Sequence, residues 1–218
     1  MRIVLLGAPG AGKGTQCKQI ADKYSLLHLS SGDILRKERS EGTELGRKAQ
    51  DYMDSGALVP DELIVEMMAG AIKIAPGSGF ILDGFPRTLN QAVELSKSLE
   101  AAGTKIDVVV NLTIADEIVA QRMTGRRSCP VCGAVYHLEN LKPAVDGKCD
   151  KDGADLVQRA DDTFDVVQNR LKTYHEQTEP IVDYYKQTDS CSVYDIDAAQ
   201  PVKSVTQSVF QSLDSKRS

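Results

Sequence analysis

Three stretches of the chain carry side chains whose types and spacing suit chemistry. The first, GAPGAGKGT at 7–15, follows an apolar run directly. Gly7, Gly10, Gly12 and Gly14 let backbone N–H groups turn inward around an anion, Lys13 supplies a point charge, and a helix opening here adds the positive end of its dipole. Compared with the common GxxxxGK[ST] loop, the hydroxyl is displaced by one residue, to Thr15 behind Gly14. The second stretch, GFILDGFPRT at 79–88, closes an apolar run on Asp83. A carboxylate there suits magnesium, or its waters, beside a phosphate loop. The third joins CPVC, with Cys129 and Cys132, to KCDKDG, where Cys149 is followed at the same spacing by Asp152. Two paired turns offer ligands to one tetrahedral ion. Zn²⁺ accepts a carboxylate beside thiolates, and four protein ligands make a structural site rather than a catalytic one. Asp150 and His137 are rival fourth ligands, and the repeated spacing favours Asp152. The same donors also suit iron.

These residues need elements to hold them. Apolar runs bounded by turn residues recur at 2–7, 26–30, 79–84, 107–114 and 192–197, with too little polar alternation for half-exposed strands. Buried parallel strands fit this pattern. Helical periodicity falls between them, at 15–24, 61–73, 89–102, 116–123 and 163–185, the last interrupted at Pro180. Asp61 is expected to cap its helix, with Leu63, Ile64, Met67, Met68, Ala71 and Ile72 on one face. Strands alternating with helices predict an α/β fold, a P-loop doubly wound sheet of five parallel strands. Two segments break the rhythm: 30–59, with short charged helical pieces, and 125–162, which is polar and rich in glycine and cysteine. Both are read as lobes inserted into a core made of 1–29, 60–124 and 163–218.

Bulk properties narrow the function. The 218 residues suffice for one sizeable core, and 26 Lys plus Arg against 31 Asp plus Glu give a formal charge of −5. That balance offers no general attraction to nucleic acid or to an anionic membrane. A zinc ribbon gripping nucleic acid would want a basic, aromatic-studded face, whereas this chain has no tryptophan. No apolar run approaches the roughly 20 residues of a spanning helix, and the N-terminus passes into glycines too soon for an export signal, so a cytoplasmic protein is expected. Of five cysteines, Cys17 and Cys191 stand apart from the cluster and read as small buried hydrophobes. No NKxD-like stretch is present to read guanine, which counts against a GTPase switch.

Taken in order, GAPGAGKGT, SSGDILR at 30–36, DGFPRT at 83–88, GRR at 125–127 and QRADD at 158–162 resemble the adenylate kinase family, in its long form with a zinc-bearing lid. The resemblance spans essentially the whole chain. It implies the reaction ATP + AMP ⇌ 2 ADP with magnesium, a monomer, an AMP-binding lobe at 30–59 and a lid at 125–162. It also supports Asp152, since members of that family carry aspartate in this place. Arg36, Arg87, Arg122, Arg126, Arg159 and Arg170 fall at the family's phosphate-contacting positions, where a permanently charged fork can grip oxygens. The catalytic set it implies is Lys13, Asp83, Arg87, Arg122, Arg126, Arg159 and Arg170.

For AMP the resemblance implies Ser31 and Arg36, the backbone of Ala57, Leu58 and Val59, then Gly84, Phe85, Pro86 and Arg87 at the phosphate, with Arg159 and Arg170. Gln91 falls at the adenine edge, where an amide can both donate and accept. For ATP it implies Gly10, Ala11, Gly12, Lys13, Gly14 and Thr15, the clamp of Arg122 and Arg126, Val135 and Tyr136 where the lid meets the nucleotide, and the backbone of Gln200. Asp161 and Asp162 either orient Arg159 or the lid, or cap the helix that follows. The Ser31 hydroxyl does not by itself separate AMP from a pyrimidine monophosphate, which leaves a pyrimidine kinase of the same architecture as the alternative.

Overall fold

A computed structural model describes residues 1–75, 77, 79–188 and 191–217. The first half of the chain gives β1 (Arg2–Gly7), α1 (Lys13–Tyr24), β2 (Leu27–Ser30), α2 (Ser31–Glu41), α3 (Glu44–Ser55), α4 (Asp61–Lys73) and β3 (Phe80–Asp83). It continues through α5 (Leu89–Ala101), β4 (Val108–Thr113), α6 (Asp116–Thr124) and a short hairpin of β5 (Arg126–Ser128) and β6 (Val135–His137). Then come α7 (Phe164–Thr173), α8 (Ile181–Lys186), β7 (Ser192–Asp197) and α9 (Val202–Arg217).

The five expected strands pair in parallel in the order β2-β3-β1-β4-β7. Their lack of polar alternation has a direct cause: both faces of the sheet are covered. Successive side chains of a strand point to opposite faces. Val4 and Leu6 of β1 therefore join one cluster, with Ile64 and Met68 of α4, Leu95 and Leu99 of α5 and Tyr185 of α8. Ile3 and Leu5 join the other, with Ile20 of α1 and Val209 and Leu213 of α9. Cys17 is fully buried in this second cluster and Cys191 packs against the first, as expected of small hydrophobes. The chain steps from β1 to β2 on one side and later to β4 on the other, so the carboxyl end of β1 lies at a switch point, where open α/β sheets leave a crevice.

Two local expectations need correction. Asp61 is the first residue of α4 and not its cap: Pro60 occupies the cap position, and its carbonyl already accepts from the N–H groups of Leu63 and Ile64 at 3.1 and 3.3 Å. The Asp61 carboxylate is thereby free for other partners. The break expected at Pro180 is spread over the preceding turn. Proline lacks an N–H and its ring crowds the carbonyl four residues back, and α7 responds by widening into a π-turn at Tyr174–Thr178, with Glu179 N–H donating to the Tyr174 carbonyl at 2.9 Å.

Within 30–59, α2 and α3 form a helical pair. Within 125–162, β5 and β6 pair antiparallel. A small cluster of Cys129, Ala134, Tyr136 and Cys149, with Ala154 and Leu156 against it, is the buried apolar core among the described residues of this segment.

Candidate active site

The phosphate loop begins where β1 ends and turns into α1 at Gly12, whose φ of 96° is a left-handed conformation that side chains rarely adopt. Lys13 reaches back over the loop and donates to the carbonyls of Gly7 and Ala8 at 2.6 and 2.8 Å. Burial draws its pKa down to about 8; Asp83 opposes that shift, and Arg87 and Arg170 add to it. Register pairs Leu5 and Ser30 with Asp83, which sets this carboxylate between the ends of β1 and β2, 9% exposed and beside Lys13. A Cβ built on Gly14 would stand 3.3 Å from Asp83 Oδ2, so the glycine after the lysine leaves the carboxylate room to face the loop.

Two adjoining clefts open above the sheet. One, of about 580 Å³ open to solvent, is lined by Ser31, Arg36, Ala57, Leu58, Val59, Gly84, Arg87, Gln91, Asp161 and Arg170, with Leu35, Met53 and Ile64 giving it an apolar side. The other, of about 500 Å³, is lined by Gly7, Pro9, Lys13, Pro86, Thr173, Tyr174 and Thr178 among others. Gly56, Leu58, Gly84, Arg87 and Arg170 border both, so the two guanidinium groups stand on the shared wall. Gly84 fits its place by its φ of 72° and by bulk: a Cβ there would lie 2.9 Å from Arg87 Nη2 and 3.0 Å from Ser31 Oγ. Its carbonyl accepts from Ser31 Oγ at 2.6 Å and Arg87 Nε at 2.8 Å.

The arginines are crowded, and their acidities show it. Burial and then the neighbouring Arg170 push Arg87 down to about 10. Arg159 is also drawn to about 10, by burial and then by Arg126 and Arg36, while its Nε donates to Ser128 Oγ at 2.8 Å. Asp162, fully buried, takes a two-pronged contact from Arg126. Asp161 accepts from Arg170 Nη1 at 2.8 Å; burial would raise its pKa, yet Arg170, Arg126 and Arg159 hold it below the ordinary carboxylate range. Helix α7 is capped at Thr163, so the cap expectation for these two aspartates is not met: they pair with Arg126 and Arg170 rather than with Arg159 or a helix end. Arg122 lies elsewhere, donating to the carbonyls of Ala198 and Ala199 beside Gln200. The Gln200 side chain turns back on its own loop, Nε2 donating to Asp197 Oδ2 at 3.0 Å.

Two of the expected residues turn their rings into apolar packing. Phe85 is 2% exposed and packs into the hydrophobic cluster, so its ring supports the loop instead of lining a cleft. The Tyr136 ring is likewise buried in its small segment, where the phenol oxygen accepts from Asp150 N–H at 2.8 Å and lies 3.5 Å from Cys149 Sγ. Val135 is the exposed member of that pair. Two contributors escaped the sequence reading. His28 places Nε2 3.3 Å from Asp83 Oδ2, and Asp61 accepts from Gln91, Thr88 and Asn90. Neither carries a local spacing signal, because their partners lie in distant parts of the chain.

Cys129, Cys132, Cys149 and Asp152 come together with all ligand atoms within 4.8 Å of one another. The two turns repeat each other's backbone bonding. Cys129 N–H donates to the Ala134 carbonyl and Gly133 N–H to that of Cys129, and the same contacts join Cys149 with Ala154 and Gly153 with Cys149. Asp152 therefore occupies the place in the second turn that Cys132 holds in the first. Asp150 instead accepts from Ala144 N–H, and His137 Nδ1 from Glu139 and Asn140 N–H, which removes both rivals from the group. N–H groups of Val131 and Cys132 point at Cys129 Sγ from 3.3 and 3.4 Å, the kind of outer contact that steadies a ligating thiolate.

The parallel sheet, the glycine loop feeding a helix and the buried carboxylate on the neighbouring strand define a P-loop nucleotide-binding protein. The adenylate kinase family model matches residues 5–190. Curated adenylate kinases from Lachnospira eligens (46% identical, covering 98% of this chain and all of the relative), Clostridium perfringens strain SM101 (46%, all of both) and Archaeoglobus fulgidus (44%, all of both) are similar over the full length. The chain belongs to the adenylate kinase family.

Proposed function

We propose that the chain catalyses ATP + AMP ⇌ 2 ADP and so keeps adenine nucleotides in balance. The observation that carries this reading is the shared wall: two clefts, one beside Lys13 and the loop, the other beside Ser31 and Gln91, meet at Arg87 and Arg170. Two nucleotides bound tail to tail would bring their phosphates to that wall. Phosphoryl transfer asks little covalent help, so alignment and positive charge on the moving group supply most of the catalysis. In this reading Gly10, Ala11, Gly12, Lys13, Gly14 and Thr15 seat the ATP phosphates, with Arg122 and Arg126 beyond them. Arg36, Arg87, Arg159 and Arg170 hold the AMP side. Asp83 and Thr15 are the residues that would hold magnesium carried in with ATP, which would supply charge neutralisation at the phosphates. A coupled assay offering AMP, UMP, CMP and GMP to ATP tests the assignment: AMP is expected to be turned over best, and equal turnover of a pyrimidine acceptor overturns it.

Segments 30–59 and 125–162 then act as flaps over the rest of the chain, closing to keep water from the phosphoryl group. The metal is read as Zn²⁺ with a structural role. A segment whose own apolar core is as small as the one around Tyr136 gains much of its rigidity from such a tie, in the way that closing a loop of about 15 residues stabilises by roughly 3 kcal/mol. Chelation is therefore expected to lower Tm while the folded, metal-free protein still turns over. Complete loss of activity in a demonstrably folded metal-free form would assign the ion a different role. Among the described residues no helix is long and apolar enough to cross a membrane. A cytoplasmic monomer with adenine nucleotides as its partners, and without nucleic acid, completes the reading.

A further inference from the structure

Gln91 is 1% exposed, yet it borders the cleft read above as the AMP site. Its amide is held at both ends. Oε1 accepts from Arg87 N–H at 2.8 Å and Nε2 donates to Asp61 Oδ1 at 2.7 Å. The other carboxylate oxygen, Asp61 Oδ2, accepts from Thr88 Oγ1 at 2.8 Å and Asn90 Nδ2 at 2.9 Å. Asp61 is thus an acceptor on every side, fixed at the first residue of α4 by contacts that reach across to α5.

We propose that Asp61 is a positioning residue for base selection: it locks the Gln91 amide in one orientation and so makes the pocket read adenine against guanine. The inference rests on the AMP reading of this cleft. An amide has two lone pairs and two N–H groups, and the contacts above use one of each. One acceptor and one donor remain for a base. Adenine answers that pair, since its amino group donates and the adjoining ring nitrogen accepts. Guanine presents O6 as an acceptor, beside another acceptor on one edge and a donor in reversed order on the other. To read guanine the amide would have to turn over. Turned over, Nε2 would face the Arg87 N–H, donor to donor, and Oε1 would face the Asp61 carboxylate, acceptor to acceptor. A backbone N–H cannot change its character and a carboxylate has no proton to offer, so the reversed orientation is closed by both neighbours.

Asp61→Asn gives the amide a neighbour that can donate as well as accept, which leaves the Arg87 N–H as the one remaining barrier to the reversed orientation. With ATP as donor, the ratio of kcat/KM for AMP to that for GMP is expected to fall by about tenfold or more, through a raised KM for AMP, while KM for ATP stays at the parent value. An unchanged ratio in a parent selective for AMP overturns the assignment. A parent that turns over no AMP overturns the underlying function, and with it this use of Asp61. Should the variant not accumulate as folded protein, the side-chain amide of Gln91 in the parent decides by NMR. One strongly deshielded, slowly exchanging Hε proton supports a fixed bond to the carboxylate, and a freely exchanging pair excludes it.

Discussion

Arg87→Ala lowers turnover of ATP with AMP by about 10²–10³-fold and leaves Tm within about 3 °C of the parent. The two halves of this expectation share one cause. Arg87 is half-buried beside Arg170, and desolvation and then that neighbour disfavour its charge. Its removal deletes a contact to the Gly84 carbonyl but also relieves like-charge crowding. With phosphates present the same charge faces anions in a low-dielectric setting and stabilises what develops there. Arg87→Lys is expected to fall between, since it keeps the charge and loses the planar fork. Steady-state kinetics beside thermal melts check this, and near-parent kinetics in the alanine variant would remove Arg87 from the catalytic set.

Lys13→Met is expected to reduce turnover by a similar factor while the nucleotide-free protein melts no lower than the parent at pH 7. The sign follows from the acidity. The folded-state pKa of about 8 lies below the ordinary 10.5, so between those values the unfolded chain binds more protons than the folded one, and parent stability rises with pH across that window. Below pH 8 the parent carries the cost of a half-buried, partly desolvated cation, and methionine does not. The Tm difference between variant and parent should therefore be largest near neutrality and shrink toward pH 10.5. In the parent, kcat/KM for MgATP should decline above pH 8 as the free enzyme loses this cation. A flat profile through pH 9 would mean that Lys13 keeps its proton and acts otherwise.

The sheet was legible because it is buried on both faces: runs such as RIVLLG and FILD need no partner information to read as strands. The phosphate loop was legible because its chemistry is contiguous. Cysteine spacing carried the metal group as well, down to the choice of Asp152, since both turns obey the same backbone geometry. What sequence could not carry was pairing at a distance. Asp61 looked like a cap because its helix starts there, and only the approach of α5, 27 to 30 residues on, shows what the carboxylate is for. His28, and the pairing of Asp161 and Asp162 with Arg170 and Arg126, escaped for the same reason. Phe85 and Tyr136 sit beside motif residues in the sequence, whereas the direction of their rings, into apolar clusters, is set by packing that no local spacing reveals.

Asp161 and Asp162 have a bearing on release. For a reaction whose products are as polyanionic as its reactants, a cleft that grips phosphate too well would stall once transfer is complete. Asp162 pairs with Arg126 and Asp161 with Arg170, so on the proposed reading the two carboxylates would serve as the counter-ions of these guanidinium groups. In that reading an arriving phosphate would displace them and a departing one would be replaced by them, so the guanidinium groups would not be stripped bare at either end of the cycle. Such an exchange would be intramolecular, so the effective concentration of each carboxylate at its arginine would favour its return over recapture of phosphate from solution.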